Sequence, residues 1–298
     1  MAPRGTASDS EVAPKRAAKT RASSSAAPKS GTKPAAKPSY SAPALEKGLD
    51  ILELLASRSD ALTPSQIAQL LGRSLQEVYR VVLALERRGY IVRPPGEEAL
   101  VLSTQLFNLA TMFPPFRRVV DAAQPIMNAL ALETSQAIHM AVLDGLNQRI
   151  IAQVDSPAAI AVRVRVGAAS PAVRATSGRT ILAFQTPAVR EWIFREAEAN
   201  NSSTVLANAK ARVAAIAERG YEQIDGEVLR GITDLSFPIL NAGGSALAAL
   251  TMPYLASPDA PMEFRDAAVL LHAAASRITG VMGGSLPPFD AEALSPLG

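Results

Sequence analysis

Two helix-starting signatures stand close together in this chain: Thr63-Pro64-Ser65-Gln66 and Ser74-Leu75-Gln76-Glu77. Each pairs a hydroxyl N-cap with a Gln or Glu three residues on, and the first adds Pro at the opening helical position. The first helix carries Ile67, Leu70 and Leu71 and ends at Gly72; the second turns Val78, Val81, Val82 and Leu85 inward and stops at Gly89. Two short helices joined by so tight a turn must cross steeply to share a core, which is a helix-turn-helix. The segments YIVRP and ALVL then read as two strands around the turn Pro94 to Glu98, a wing. Ahead of the pair, Leu45, Leu49, Leu52 and Leu55 share one helical face, widened by Ile51 and Leu54.

The outer face of the second helix presents Arg73, Ser74, Gln76, Glu77, Tyr79, Arg80 and, further on, Arg87. Long hydrogen-bonding groups at a helix start are what major-groove reading needs: Arg pairs bidentately with guanine and Gln with adenine. The helix N-terminus and the Ser74 hydroxyl suit a backbone phosphate. Thr63 and Ser65 on the first helix and Arg93 beside the wing tip complete the candidate DNA-binding set. Against this stands an ordinary surface helix with scattered charges, in which Glu77 only caps; even on DNA, Arg80 has a phosphate role as an alternative to a base. One such unit contacts little DNA, so a dimer spanning two half-sites is expected. The apolar helix at 104–112 is a candidate dimer element or, equally, packs within its own domain.

Beyond Pro114-Pro115 the pattern alternates. Residues 117–134 read as a helix, then IHMAVL and QRIIAQV as strands, and AIAVRVRV as a strand with one solvated face. Helices are expected at 178–185, 187–198, 204–219 and 261–281, with LSFPIL and ALAALTM pairing across Asn241 to Gly244. Helices flanking a mostly antiparallel sheet make an α+β domain.

Composition bounds the chemistry. With no Cys and two His, disulfides, thiolate metal sites and multi-histidine sites are excluded or nearly so, and neither metal nor cofactor is implied. Residues 1–44 hold eight basic residues against two acidic ones; the remainder, with 22 basic and 25 acidic residues, has three net negative charges. An Ala-, Pro-, Ser- and Lys-rich tail of this kind buries too little apolar area to order itself. It is either an arm for polyanions or a solubilising segment. No apolar run reaches bilayer length and no apolar segment backs the N-terminal charges, so no membrane partner and a cytoplasmic location are expected.

Two blocks carry a resemblance to the IclR-type bacterial transcriptional regulators: ALEKGLDILELLA with PSQIAQLLG and EVYRVVLALERRGYI, then VGAASPAVRATSGRTILAF with GYEQIDGEVLRGITDLSFPILNAGGSALAALTM. The likeness covers about residues 41–283. It departs from the family pattern at Ser103, where Gly is usual, and in the order of the ATSG loop. It implies an α+β chain with a winged helix-turn-helix (44–103), a linker helix (104–115) and a GAF-like effector domain with a mostly antiparallel sheet (116–284). The basic tail (1–43) and a flexible C-terminus (285–298) lie outside. It further implies an operator duplex, a homodimer or dimer of dimers, and a small organic effector, by family habit a carboxylic acid or aromatic. Carried over by position, the effector residues are Thr176, Ser177, Asp225, Ile232, Asp234 and Thr251, with Met140, Val162 and Val164 as apolar walls. Three of the polar ones have a plainer reading: Ser177 as N-cap of the helix at 178–185, Asp225 and Asp234 as solvated loop acids. His139, in an apolar strand, reads as a core histidine.

Two rival functions remain at this stage. One is a sequence-tolerant DNA-binding protein without effector. The other is a serine hydrolase using Ser177, for which the chain has no GxSxG elbow and only two histidines to serve as base.

Overall fold

The computed structural model describes residues 42–112, 114–227, 229–257 and 261–297. The basic tail lies outside them apart from Ala42 and Pro43. The chain divides into two compact units between Leu102 and Ser103.

In the first unit α1 spans Pro43–Ala56, α2 Pro64–Leu70 and α3 Leu75–Arg87. Both capping boxes form. The Thr63 hydroxyl accepts the Gln66 N–H while the Gln66 side chain accepts the Thr63 N–H, and Ser74 and Glu77 repeat the exchange. Gly72, at φ 61°, turns the chain between α2 and α3 in a conformation that costs a side chain strain. Ile51, Leu55, Ile67, Val78, Val82, Ile91 and Leu100 form the core. The wing is β1 (Ile91–Val92) against β2 (Val101–Leu102), and Leu62 bridges to Leu100 at its base. α1 turns a different face inward from the one its leucines suggest: Gly48, Ile51 and Leu55 are buried, whereas Leu45 and Leu49 are 62% and 48% exposed.

The second unit opens with α4 (Gln105–Thr111) and α5 (Pro114–Thr134). Pro125 inside α5 sits on its exposed side, where the carbonyl it leaves unbonded meets water. Then come β3 (Ile138–Asp144), β4 (Asn147–Val154), β5 (Ala169–Pro171), α6 (Thr176–Ala183), α7 (Pro187–Ala197), α8 (Ser203–Arg219), β6 (Glu222–Asp225), β7 (Ile232–Leu240), β8 (Ala246–Leu255) and α9 (Phe264–Val281). The six strands form one sheet, ordered β5-β4-β3-β8-β7-β6, with every pair antiparallel. Side chains alternate across it. Ile138, Met140 and Val142 of β3 and Leu235, Phe237 and Ile239 of β7 face α5 and α9; the intervening residues face α6.

Three sequence expectations are corrected here. AIAVRVRV forms no strand. Its alternation survives, with Val162 and Val164 half-buried and Arg163 and Arg165 exposed, but in extended coil with no ladder partner. β5 takes the sheet edge instead. The helix expected at 178–185 begins at Thr176 with Ala175 as N-cap, so Ser177 lies inside the first turn and caps nothing. The C-terminal residues, expected to be flexible, pack on the sheet. Phe289 meets Phe237 and Tyr221 edge-on at 5.0 and 5.3 Å, Leu294 is buried, and Gln223 exchanges two 2.9 Å hydrogen bonds with Ser295. The driving force is aromatic burial, with Phe289 packed among Phe237, Tyr221 and His272.

Candidate functional site

The outer face of α3 sorts into committed and uncommitted side chains. Thr63 and Ser74 are occupied as caps. Glu77 serves the Ser74 box and pairs with Lys47; the Lys47 ammonium, then the Ser74 hydrogen bonds, hold its carboxyl down at about 2. It is a cap and an ion-pair partner, which gives the plainer of its two sequence readings a physical basis. Arg73 reaches back to Asp50 of α1 at 2.6 Å. Arg93 ties the wing to α3 through Glu86 at 2.9 Å and the Glu98 carbonyl at 2.6 Å. Ser65, Gln76, Tyr79 and Arg80 remain exposed with no side-chain partner among the described residues, joined by Arg87 and by the apolar tips of Leu75 and Leu83. The uncommitted side of the helix is therefore a net-positive strip of Gln76, Tyr79, Arg80 and Arg87 with two apolar side chains, Leu75 and Leu83, beside it.

In the second unit a cavity of about 240 Å³ opens between the sheet and the start of α6. Seven of the nine residues expected around an effector line it: Val162 and Val164 from the coil, Thr176 and Ser177 from α6, Ile232 and Asp234 from β7, and Thr251 from β8. Met140 does not. It is one residue off in a strand of period two, so it points into the opposite core and is fully buried there. Asp225 does not either; it ends β6 and accepts a hydrogen bond from Thr233. His139, read from sequence as a core residue, takes the place given to Met140, and Gln148, Ile150 and Leu229 are further lining residues the sequence did not mark. The signal for His139 was available in the alternation: the polar members of β3, β7 and β8 (His139, Asp234, Ser236, Thr251) share one face.

A chain of hydroxyls runs under this cavity. Ser236 meets Thr251 at 2.8 Å, Thr251 meets Ser177 at 3.0 Å, and Ser177 meets His139 Nε2 at 3.3 Å. The Thr176 hydroxyl donates to Asp234 at 3.3 Å. Burial alone pushes the His139 imidazole down to about 4; burial first, helped by the Glu227 and Glu222 charges and opposed by the Thr176 hydrogen bond, pushes the Asp234 carboxyl up to about 6. Among the described residues, two of the four buried side-chain polar atoms without a partner belong to residues of this lining, Gln148 Oε1 and His139 Nδ1. The Ser177–His139 contact does not make a nucleophile. The imidazole has no acid behind Nδ1 to orient it, and at about 4 it is a poor base at neutral pH.

The start of α6 is fixed from behind. Arg179, fully buried, donates through Nε to Glu222 at 2.8 Å, through Nη1 to the Arg174 carbonyl at 2.7 Å, and pairs with Glu227. A Cβ on Gly178 would lie 2.4 Å from the Ala172 carbonyl oxygen, so only glycine lets α6 approach that backbone. A larger hollow of about 480 Å³ lies on the far side of this cluster, but its arginines are committed, Arg212 to Glu222 and Arg174 to Asn201.

The two shifted groups give opposite pH dependences. His139 titrates lower when folded (about 4 against 6.5), so its stabilisation is present above pH 6.5 and lost as pH falls toward 4. Asp234 titrates higher when folded (about 6 against 3.8), so its contribution is present below pH 4 and lost as pH rises through 6. Urea unfolding of the His139→Gln variant should therefore lose about 2 kcal/mol between pH 4.5 and 6.5, and the Asp234→Asn variant should gain about as much. Parallel profiles for the two variants contradict this assignment.

Among the described residues no helix is long and apolar enough to cross a membrane, and no group of three or more His, Asp or Glu could hold a metal ion. Comparison with known proteins agrees with both units. Residues 44–95 match the IclR helix-turn-helix domain and residues 117–279 the bacterial transcriptional regulator IclR C-terminal domain. The HTH-type transcriptional regulator BhcR of Paracoccus denitrificans is 26% identical over 76% of this chain and 83% of its own. The transcriptional repressor IclR of Escherichia coli is 24% identical over 80% of this chain and 90% of its own. Among solved structures, an IclR homolog from Microbacterium hydrocarbonoxydans complexed with 4-hydroxybenzoate superposes with a TM-score of 0.65 at 21% identity, over 80% of this chain and 98% of that one. These relatives are named as regulators, not enzymes. With a family model spanning more than half of its length, the chain belongs to the IclR family of bacterial transcriptional regulators.

Proposed function

We infer that this regulator responds to a small organic effector held in the cavity between α6 and the sheet. The observation that carries the reading is the lining of that space, where the hydroxyls of Thr176, Ser177 and Thr251 and the Asp234 carboxyl meet the apolar side chains of Ile150, Val162, Val164 and Ile232. A concave, mostly apolar space with a few convergent polar groups is what a small-molecule site needs. At about 240 Å³ the space exceeds the roughly 150 Å³ that takes a benzene ring, so a substituted ring suits it. The 4-hydroxybenzoate in the related structure is a guest of that size. DNA would be read by Gln76, Tyr79 and Arg80, with Ser65 on a phosphate. Arg73 and Arg93 are assigned here to holding α3 against α1 and the wing.

The exposed Leu45 and Leu49 of α1, and Leu106, Phe107 and Met112 in and beside α4, offer apolar surface for a second copy. A dimer would place two recognition helices on two half-sites. An effector that favours one arrangement of the copies would then change operator affinity, by no more than its differential affinity for the two arrangements.

The cavity reading is tested by filling it. Val164→Phe, on the half-exposed coil, should leave the unliganded melting temperature within about 2 °C of wild type, since surface-coil changes cost little. It should abolish the shift produced by any small compound that stabilises wild type; a compound at a hundred times its Kd contributes about 2.7 kcal/mol. Equal shifts in both proteins would place the binding elsewhere.

A further inference from the structure

The exposed side of α3 carries two parallel rows of side chains. Gln76, Arg80 and Arg87 form one; Leu75, Tyr79 and Leu83, each four residues from the next, form the other. The second row is bulky and open, its members 49%, 48% and 47% exposed. A lone exposed apolar side chain needs no explanation, but here successive turns repeat it, on a helix whose opposite face already supplies Val78 and Val82 to the core.

The charge beside the row limits what can cover it. Both carboxylates of α3 are engaged, Glu77 with Lys47 and Glu86 with Arg93. Arg80 and Arg87 have no acidic partner among the described residues, so the side facing solvent is positive with no counter-charge. A protein surface burying Leu75 and Leu83 would have to bring its own carboxylates. A duplex brings both things this side needs: phosphates for the arginines and, in the major groove, the C5-methyl of thymine, the apolar group on a base edge.

Resting on the reading that α3 lies in the major groove, we propose that Leu75 and Tyr79 read thymine methyl groups, so that each operator half-site carries thymines opposite this row, beside the base pair that Gln76 contacts. Residues four apart stand about 6 Å apart along a helix, against about 3.4 Å per base step, so the thymines lie about one or two steps from each other. Leu75 and Tyr79 belong to the first turns of α3, the part of a recognition helix that meets base edges. Leu83, a turn further on, continues the row toward the groove wall.

The test replaces thymine by uracil, one position at a time, in the duplex that the full-length protein selects from a randomised pool. Uracil keeps the O4 acceptor and lacks the methyl. Burying one methyl is worth about fourfold in affinity. Wild type should therefore bind about three- to fivefold more weakly at one or two positions in each half-site, and equally well elsewhere. At one of those positions Leu75→Ala, an exposed change to a good helix former, should bind the thymine and uracil duplexes alike; Tyr79→Ala should do the same at the other. The methyl reading is overturned if uracil costs wild type nothing at every position, if the selected half-site has no thymine, or if both variants keep the full uracil loss. Should the Gln76→Ala, Arg80→Ala protein still lose affinity in that event, the placement of α3 in the groove stands without it; should that protein bind as wild type does, both fall. Uracil insensitivity together with slower-sedimenting, smaller species on Leu83→Ala would assign the row to a second copy of this chain, which overturns it as well.

Discussion

Replacing Arg179 by methionine should lower the stability of the second unit by about 3–5 kcal/mol, the cost of breaking a buried pair by removing one partner. Glu222 has no exposed surface, and without Arg179 its carboxylate keeps only the Nη1 of Arg212, 3.2 Å away. Arg179 also donates to the Arg174 carbonyl and holds Glu227, so one substitution frees the loop before α6 and the loop after β6. For a unit of this size the melting temperature should fall by about 2–4 °C per kcal/mol. The deficit should be larger at pH 8 than at pH 5, because burial already raises the Glu222 carboxyl and without its partner that group escapes the penalty only by taking a proton. Adding Glu222→Gln should recover much of the loss, since a buried pair removed together costs far less than one removed by half. Additive losses measured by urea unfolding would mean the pair is not coupled as drawn.

Arg80→Ala and Gln76→Ala should each weaken binding to a selected operator by about 1–3 kcal/mol, or roughly 5- to 150-fold, if each makes a base contact. Neither should move the melting temperature, because both side chains stand in solvent with nothing to release. Arg73→Ala should behave differently. Its guanidinium holds Asp50, so its loss should register first as up to about 1 kcal/mol of stability in the first unit. Affinity changes that track sequence for Gln76 and are uniform across sequences for Arg80 would identify the first as a base contact and the second as a phosphate contact.

The parts of the fold that strong local signals specify were legible in advance. Capping boxes at Thr63 and Ser74 locate α2 and α3, and runs such as LSFPIL and ALAALTM locate the central strands. What was not legible depended on pairing. Three-residue β5 and four-residue β6 are too short to show a period, and AIAVRVRV shows one but has no neighbour to pair with. α1 has more leucines than its core can accept, so the choice of Ile51 over Leu49 belongs to packing against α3. For the cavity, the family resemblance and the apolar pattern together placed seven lining residues and missed with two: Met140, whose place His139 takes one step along β3, and Asp225, which ends β6 outside the lining. The commitments of Arg73, Glu77 and Arg93 were invisible because their partners, Asp50, Lys47 and Glu86, come from other segments brought near by folding.

The proposed role of α3 in reading DNA has a direct test. Wild-type full-length protein would select duplexes from a randomised pool, and the enriched sequence would then be titrated with wild type and with the doubly substituted Gln76→Ala, Arg80→Ala protein at one fixed salt concentration. The expected result is a clear enriched sequence and at least a hundredfold loss of affinity for it in the variant, with far-ultraviolet dichroism and melting temperature unchanged. A folded variant that binds the enriched sequence as tightly as wild type would contradict it.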